Sequence, residues 1–209
     1  MQEKFNKNNL ENIVQKPEPS EEGISPILEH AEEIKEIILN NQTAIIMGET
    51  GSGKTTEIPL IIDKITKPND NMAISEPRAQ IARSVCRYVA HKDKSPVGGR
   101  IGYRVRFDNR TNEGTKINFM TDGILLRLLQ DDPLLKNYSV VMLDEAHERQ
   151  INTDILKGAL KLLRKLNIRE KRGLPPLKEI TTSATLEKEK FIKFDEGKNN
   201  YRRKRNSWL

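Results

Sequence analysis

The stretch Gly48-Glu49-Thr50-Gly51-Ser52-Gly53-Lys54-Thr55-Thr56 constrains this chain more than any other. It fits the pattern Gly-x-x-x-x-Gly-Lys-[Ser/Thr]. The apolar run before it, Thr43-Ala44-Ile45-Ile46-Met47, is suited to a buried strand. The residues from Thr55 toward Ile65 read as the start of a helix. Strand, glycine loop and helix are the context in which such a loop binds phosphate. Gly51 and Gly53 allow a tight curl, so that successive N–H groups converge on an anionic group. The helix N-terminus adds its partial positive charge, Lys54 reaches the β- and γ-phosphates, and the Thr55 hydroxyl can ligate Mg²⁺. All of Gly48 to Thr56 are therefore candidate nucleotide-binding residues.

A nucleotide loop of this kind needs a carboxylate on the far side of its metal. Val140-Val141-Met142-Leu143 is a second buried-strand run, and it leads directly into Asp144-Glu145-Ala146-His147. Asp144 is placed to share Mg²⁺ with Thr55, and Glu145 to orient or deprotonate an attacking water. Only a fold that aligns the two strands brings Lys54 and Asp144 together.

The rest of the chain alternates helix and strand signals. Ser25-Pro26 predicts a helix start, with serine as cap and proline in the first turn, and apolar spacing carries that helix to Asn40. Further helices are expected at 79–90, from Thr121-Asp122-Gly123 onward, and at 153–166; further strands at 72–75, 101–107, 116–120 and 179–182, with a loop at 109–114. Such alternation argues an α/β doubly wound parallel sheet covered on both faces, with ligands at the carboxyl ends of its strands. Residues 1–24 read as a disordered leader with one helical turn around Leu10–Val14, 25–194 as a single domain, and 195–209 as a disordered basic tail.

Charge locates little else. The net charge is +6, but 198–209 alone carry Lys198, Arg202, Arg203, Lys204 and Arg205 and no acid. The remainder is nearly neutral, so the basic balance describes the tail rather than the domain. The cluster Lys161, Arg164, Lys165, Arg169, Lys171 and Arg172 reads as a solvated helix face. A lone cysteine, Cys86, excludes a disulfide framework and suits a reducing cytoplasm. The scattered His30, His91 and His147 argue against a structural zinc site. No apolar run approaches the length of a membrane span.

Together these residues resemble the DEAH-box ATP-dependent helicases of superfamily 2, mostly RNA helicases. Asp144-Glu145-Ala146-His147 with Glu148-Arg149 resembles their signature. Gly48–Thr56 matches motif I, Glu76-Pro77-Arg78 resembles motif Ia, Thr121-Asp122-Gly123 with Leu125-Leu126-Arg127 resembles motif Ib, and Ser183-Ala184-Thr185 matches motif III. Gly102-Tyr103-Arg104-Val105-Arg106-Phe107 and Asn152-Thr153-Asp154 are similar to further stretches of the family. The resemblance runs from about Pro26 to Phe194.

The resemblance implies a P-loop, RecA-like motor domain using ATP and Mg²⁺. Lys54, Asp144, Glu145 and His147 would serve catalysis, and Thr55 and Asp144 would hold the metal. Arg78, Thr121 and Asp122 would contact nucleic acid, single-stranded RNA before DNA. Ser183 and Thr185, with His147, would couple the nucleotide to strand movement. Arg104 and Arg106 are read as a solvated strand face. Two local departures stand out: Ala79 where motif Ia usually has a second arginine, and Tyr88 beside Arg87 where relatives commonly stack an arginine on adenine. Relatives also continue into a second RecA-like domain carrying arginines for the γ-phosphate, and 195–209 resemble nothing in that continuation. The expected function is an ATP-driven motor domain acting on RNA. The alternative is a truncated, non-catalytic nucleotide- and nucleic-acid-binding module. An unrelated P-loop ATPase would leave the ordered motifs Ia, Ib and III unexplained.

Overall fold

The computed structural model describes residues 13–14, 25–67, 70–148 and 150–184. Its strands are β1 (Ile13–Val14), β2 (Thr43–Met47), β3 (Met72–Glu76), β4 (Ile101–Val105), β5 (Asp108–Arg110), β6 (Ile117–Thr121), β7 (Val140–Leu143) and β8 (Lys178–Ser183). Its helices are α1 (Pro26–Glu29), α2 (Ala31–Asn40), α3 (Lys54–Ile65), α4 (Ala79–Lys92), α5 (Asp122–Asp131), α6 (Ile151–Lys165) and α7 (Ile168–Lys171). One sheet runs in the order β1-β2-β8-β7-β3-β6-β4-β5. Every pairing is parallel except the hairpin of β4 with β5.

The two-residue period of a strand divides this sheet into two cores. Met72, Ile74, Val140, Met142 and Phe119 face one side, with Ile34 and Ile38 of α2, Ile58 and Ile62 of α3, and Cys86 and Val89 of α4. Ala73, Val141, Leu143 and Met120 face the other, against Leu125 and Leu129 of α5 and Leu156, Leu160 and Leu163 of α6. All residues of β3 and β7 are buried, which is why neither strand alternates apolar with polar residues.

The register sets the carboxyl ends of four central strands side by side. Met47 pairs Ser183, Leu143 pairs Thr181, and Ser75 pairs Leu143. The chain thus leaves the sheet at Gly48, Ala184, Asp144 and Pro77 along one edge. Strand order also reverses here, since β2 and β3 are separated by β8 and β7. A topological switch point of this kind opens a crevice for a ligand.

Several local expectations require correction. Ile13–Val14 is not helical but pairs in parallel with Ile45 and Ile46. Two β-branched residues are better satisfied at a sheet edge than in an isolated helical turn. The first helix breaks at His30, so α1 and α2 are separate. Strand 101–107 ends at Val105 and turns at Phe107 (φ 63°) into β5, within residues expected to be loop. The cluster after α6 is not wholly solvated. Arg169 is 2% exposed and donates from Nε to the Pro175 carbonyl (2.9 Å) and from Nη1 to those of Leu134 (2.6 Å) and Leu135 (2.9 Å). Arg164 donates to Glu179 at 2.9 Å. The remainder of the leader, the basic tail and Thr185 lie outside the described residues.

Candidate nucleotide and nucleic-acid site

The phosphate loop joins β2 to α3. Gly51 (φ 84°) and Gly53 (φ 92°) both adopt the left-handed backbone that favours glycine, and Gly53 occupies the cap position of α3. The loop is tied at both ends. At its start the Gly48 N–H donates to the Ser183 carbonyl (3.1 Å), and at its end the Ser25 hydroxyl donates to the Ser52 carbonyl (2.7 Å). Ser25 therefore does not cap α1 with its side chain; it straps the loop instead. The Thr56 hydroxyl bonds back to the Gly53 carbonyl at 3.2 Å.

Lys54 is buried, and its Nζ donates to the carbonyls of Gly48 and Glu49, both at 2.7 Å. Burial lowers the pKa of its ammonium from the ordinary lysine range, against the opposing pull of Glu145 and Asp144. Asp144 is 1% exposed, and both of its oxygens are engaged. Thr55 donates to Oδ2 and Thr182 donates to Oδ1. A threonine hydroxyl and a carboxylate held in contact are hard oxygen donors, the type that suits Mg²⁺, so the donor set fits that ion.

Glu145 follows with φ 46°, a strained conformation for a non-glycine residue and one that recurs at functional sites. It lines a cleft of about 230 Å³ together with Thr50, Thr55, Asp144, Glu148 and the segment Glu76 to Arg78. Glu76 is wholly buried there. Burial pushes its carboxyl well above the usual range, and Asp144, Glu145 and Asp122 push it the same way.

The segments expected to meet nucleic acid lie farther along the same edge. Glu76 pairs with Thr121 across β3 and β6, so Arg78 and Thr121 follow adjacent strand ends. Arg78 is exposed and donates to Glu148 at 3.2 Å. Thr121 opens α5 without a side-chain cap bond. Asp122 is a different matter. It is 3% exposed, with Ser75 donating to one oxygen and Thr153 to the other, so its side chain braces the core rather than facing a ligand. Ser183 is buried and meets the phosphate loop through its carbonyl. His147 falls in the 3₁₀ turn Ala146–Glu148, and its side chain is outside the described residues, as are Arg149 and Thr185. Arg87 and Tyr88 lie exposed on α4.

Two residues of the site were given no role from sequence, Thr182 and, within the motif Glu76-Pro77-Arg78, Glu76. Thr182 carried a signal, since consecutive threonines at 181 and 182 in a core strand need hydrogen-bond partners. Glu76 carried one too, as a carboxylate ending a strand that is otherwise wholly buried.

Residues 29–193 match the family model described as DEAD/DEAH box helicase. Over 172 residues the chain is 41% identical to a probable ATP-dependent RNA helicase, DHR2, of Saccharomyces cerevisiae, covering 81% of this chain and 23% of the relative. It is 46% identical over 153 residues to the ATP-dependent RNA helicase DHX33 of Drosophila melanogaster, covering 72% and 22%. It is 40% identical over 169 residues to the ATP-dependent RNA helicase HrpA homolog of Haemophilus influenzae, covering 80% and 12%. The chain thus spans less than a quarter of the length of these relatives.

Proposed function

The chain belongs to the DEAD/DEAH box helicase family, and we propose that it is the ATP-binding motor domain of an RNA helicase, coupling ATP hydrolysis to RNA binding and remodelling. The observation that carries this reading is the contact of Thr55 with Asp144 beside the Lys54-bearing loop. It joins the phosphate-binding and metal-binding halves of the site in one crevice.

In this reading the loop N–H groups and Lys54 bind the phosphates, and Thr55 and Asp144 hold Mg²⁺. Held there, the ion would supply positive charge to offset that of the phosphates. Glu145 accepts a proton from the attacking water, with Lys54 and the loop fixing the γ-phosphate in line. Arg78 and the N-terminus of α5 at Thr121 meet RNA phosphates, which gives affinity without sequence preference. Arg78 must then exchange Glu148 for phosphate, so RNA binding pulls on the turn directly after Asp144-Glu145. The backbone link from Ser183 to Gly48 is a second route by which β8 senses the loop.

Among the described residues the cleft is lined by one arginine, Arg78, and it is paired with Glu148. The arginines that stabilise the transferring phosphoryl group are proposed to come from a second RecA-like domain, for which the greater length of the relatives leaves room. An arginine finger is worth about 10³–10⁵ in rate. The 209-residue chain by itself is therefore expected to bind Mg·ATP and turn it over slowly. A non-catalytic binding module is the second reading, favoured by this same shortage of cations facing the γ-phosphate.

Steady-state phosphate release with and without single-stranded RNA separates them. Slow turnover that is lost in Glu145→Gln and rises when a second RecA-like domain is added in trans supports the motor. No turnover under any of these conditions, with ATP binding intact, supports the module.

A further inference from the structure

Glu76 is 0% exposed and lines the cleft; neither carboxylate oxygen receives a hydrogen bond from a hydroxyl or N–H of the described residues, and its close polar neighbour is the carboxylate of Asp144. The groups that face it are themselves acids: Asp144 and Glu145 at the end of β7 and Asp122 at the start of α5. The cations nearby are committed elsewhere. Lys54 Nζ is given to two loop carbonyls, and Arg78 to Glu148 on the rim. Asp144 is satisfied by two hydroxyls, whereas Glu76 receives neither hydroxyl nor N–H from the described residues. A buried carboxyl left in this way either keeps its proton, as burial and the surrounding acids favour, or takes a cation to offset its charge.

The position argues what that cation is. Glu76 follows Ser75, which pairs with Leu143, so Glu76 lies alongside Asp144 at the strand ends. Among the described residues no three acids close on one point as direct ligands of an ion. Contact through water on the ion suits this arrangement, since Mg²⁺ and its chemical stand-ins keep several waters when bound.

We propose that Glu76 is a positioning residue of the divalent-cation site: it receives hydrogen bonds from water on the ion held by Thr55 and Asp144, and it lets the cleft take that ion before nucleotide arrives. This rests on the assignment of Thr55 and Asp144 to the metal. Outer-shell carboxylates of this kind orient the bound water and contribute to affinity without touching the ion.

The test uses the 209-residue chain free of nucleotide and Mn²⁺ alone as the probe, followed by the loss of the free-ion paramagnetic signal. Saturable binding of one Mn²⁺ is expected, weakened about 10- to 100-fold in Glu76→Gln. In metal-free buffer Glu76→Gln should melt no lower than the parent, because an amide of the same shape replaces a buried group that no hydroxyl or N–H of the described residues pairs. It should also lose most of the Mn²⁺-induced rise in melting temperature. Equal Mn²⁺ affinity in the two proteins overturns the proposal, and so does a lower metal-free melting temperature with unchanged Mn²⁺ affinity, which marks a purely structural role. Absence of saturable Mn²⁺ binding to the parent overturns it as well. Titration of the same preparation with Mg·ATP then separates the cases: binding leaves the nucleotide site standing and removes only Glu76, and no binding removes both.

Discussion

The hydroxyl of Thr55 donates to Asp144 Oδ2 across 89 residues of sequence. Thr182 takes the other oxygen of the same carboxylate, from the strand between the two. Asp144 is thus oriented by a residue that shares its proposed metal and by a residue that does not. The distinction can be tested, because the two hydroxyls are expected to fail differently.

Thr182→Val removes one donor to Asp144 with almost no change of shape. A hydrogen bond to a buried charged group contributes about 1.5–3 kcal/mol. We expect a loss of that size in urea unfolding, together with weaker Mg²⁺ dependence of ATP binding. Thr55→Val should leave stability closer to the parent and abolish the Mg²⁺ dependence, since Thr55 lines the open cleft whereas Thr182 is wholly buried.

Asp122 receives Ser75 and Thr153, joining β3, α5 and α6 at one buried point. Asp122→Ala strands both hydroxyls and should cost about 3 kcal/mol by the same measure. Asp122→Asn retains an acceptor and should cost less. RNA affinity, measured under conditions where the variants are folded, should be unchanged, because this side chain does not face the ligand.

Arg169 holds the carbonyls of Leu134, Leu135 and Pro175, and so ties the loop before β7 to the loop before β8. Arg169→Ala should destabilise by about 3 kcal/mol in urea. Arg169→Lys should recover only part, because an ammonium cannot reproduce the planar fork that reaches two sides at once.

Cys86 is fully buried in the core against α4's neighbours, and burial pushes its thiol up to about 12. Its reaction with a thiol reagent at pH 8 should be limited by unfolding and become fast in denaturant. The folded thiol stays neutral where the unfolded one, near 9, begins to ionise. Its contribution to stability is therefore complete below pH 9 and is lost as pH rises toward 12.

The sequence made the central strands readable because parallel strands covered on both faces have no polar alternation to hide in, as in Val140–Leu143. The phosphate loop was equally open, since Gly51 and Gly53 are required by positive φ. The β4–β5 hairpin was not, because its turn places Phe107 rather than glycine or asparagine at positive φ. Arg169 was misread for another reason. Local sequence shows a basic run but not the carbonyls of two distant loops that draw one member inside. Asp122 likewise looked like part of a ligand-facing motif, and its two hydroxyl partners, Ser75 and Thr153, come from other elements.

The central claim is that the loop at Gly48–Lys54 and the carboxylate at Asp144 form one Mg·ATP site. Calorimetric titration of Mg·ATP into the chain, Lys54→Ala and Glu145→Gln tests it most directly. Saturable binding is expected for the parent and for Glu145→Gln. Lys54→Ala should bind roughly 100-fold more weakly or worse, as expected when one charge of a buried charged contact is truncated. Chelation of Mg²⁺ should weaken the parent in the same direction. Parent-like affinity in Lys54→Ala, or binding indifferent to Mg²⁺, would contradict the assignment.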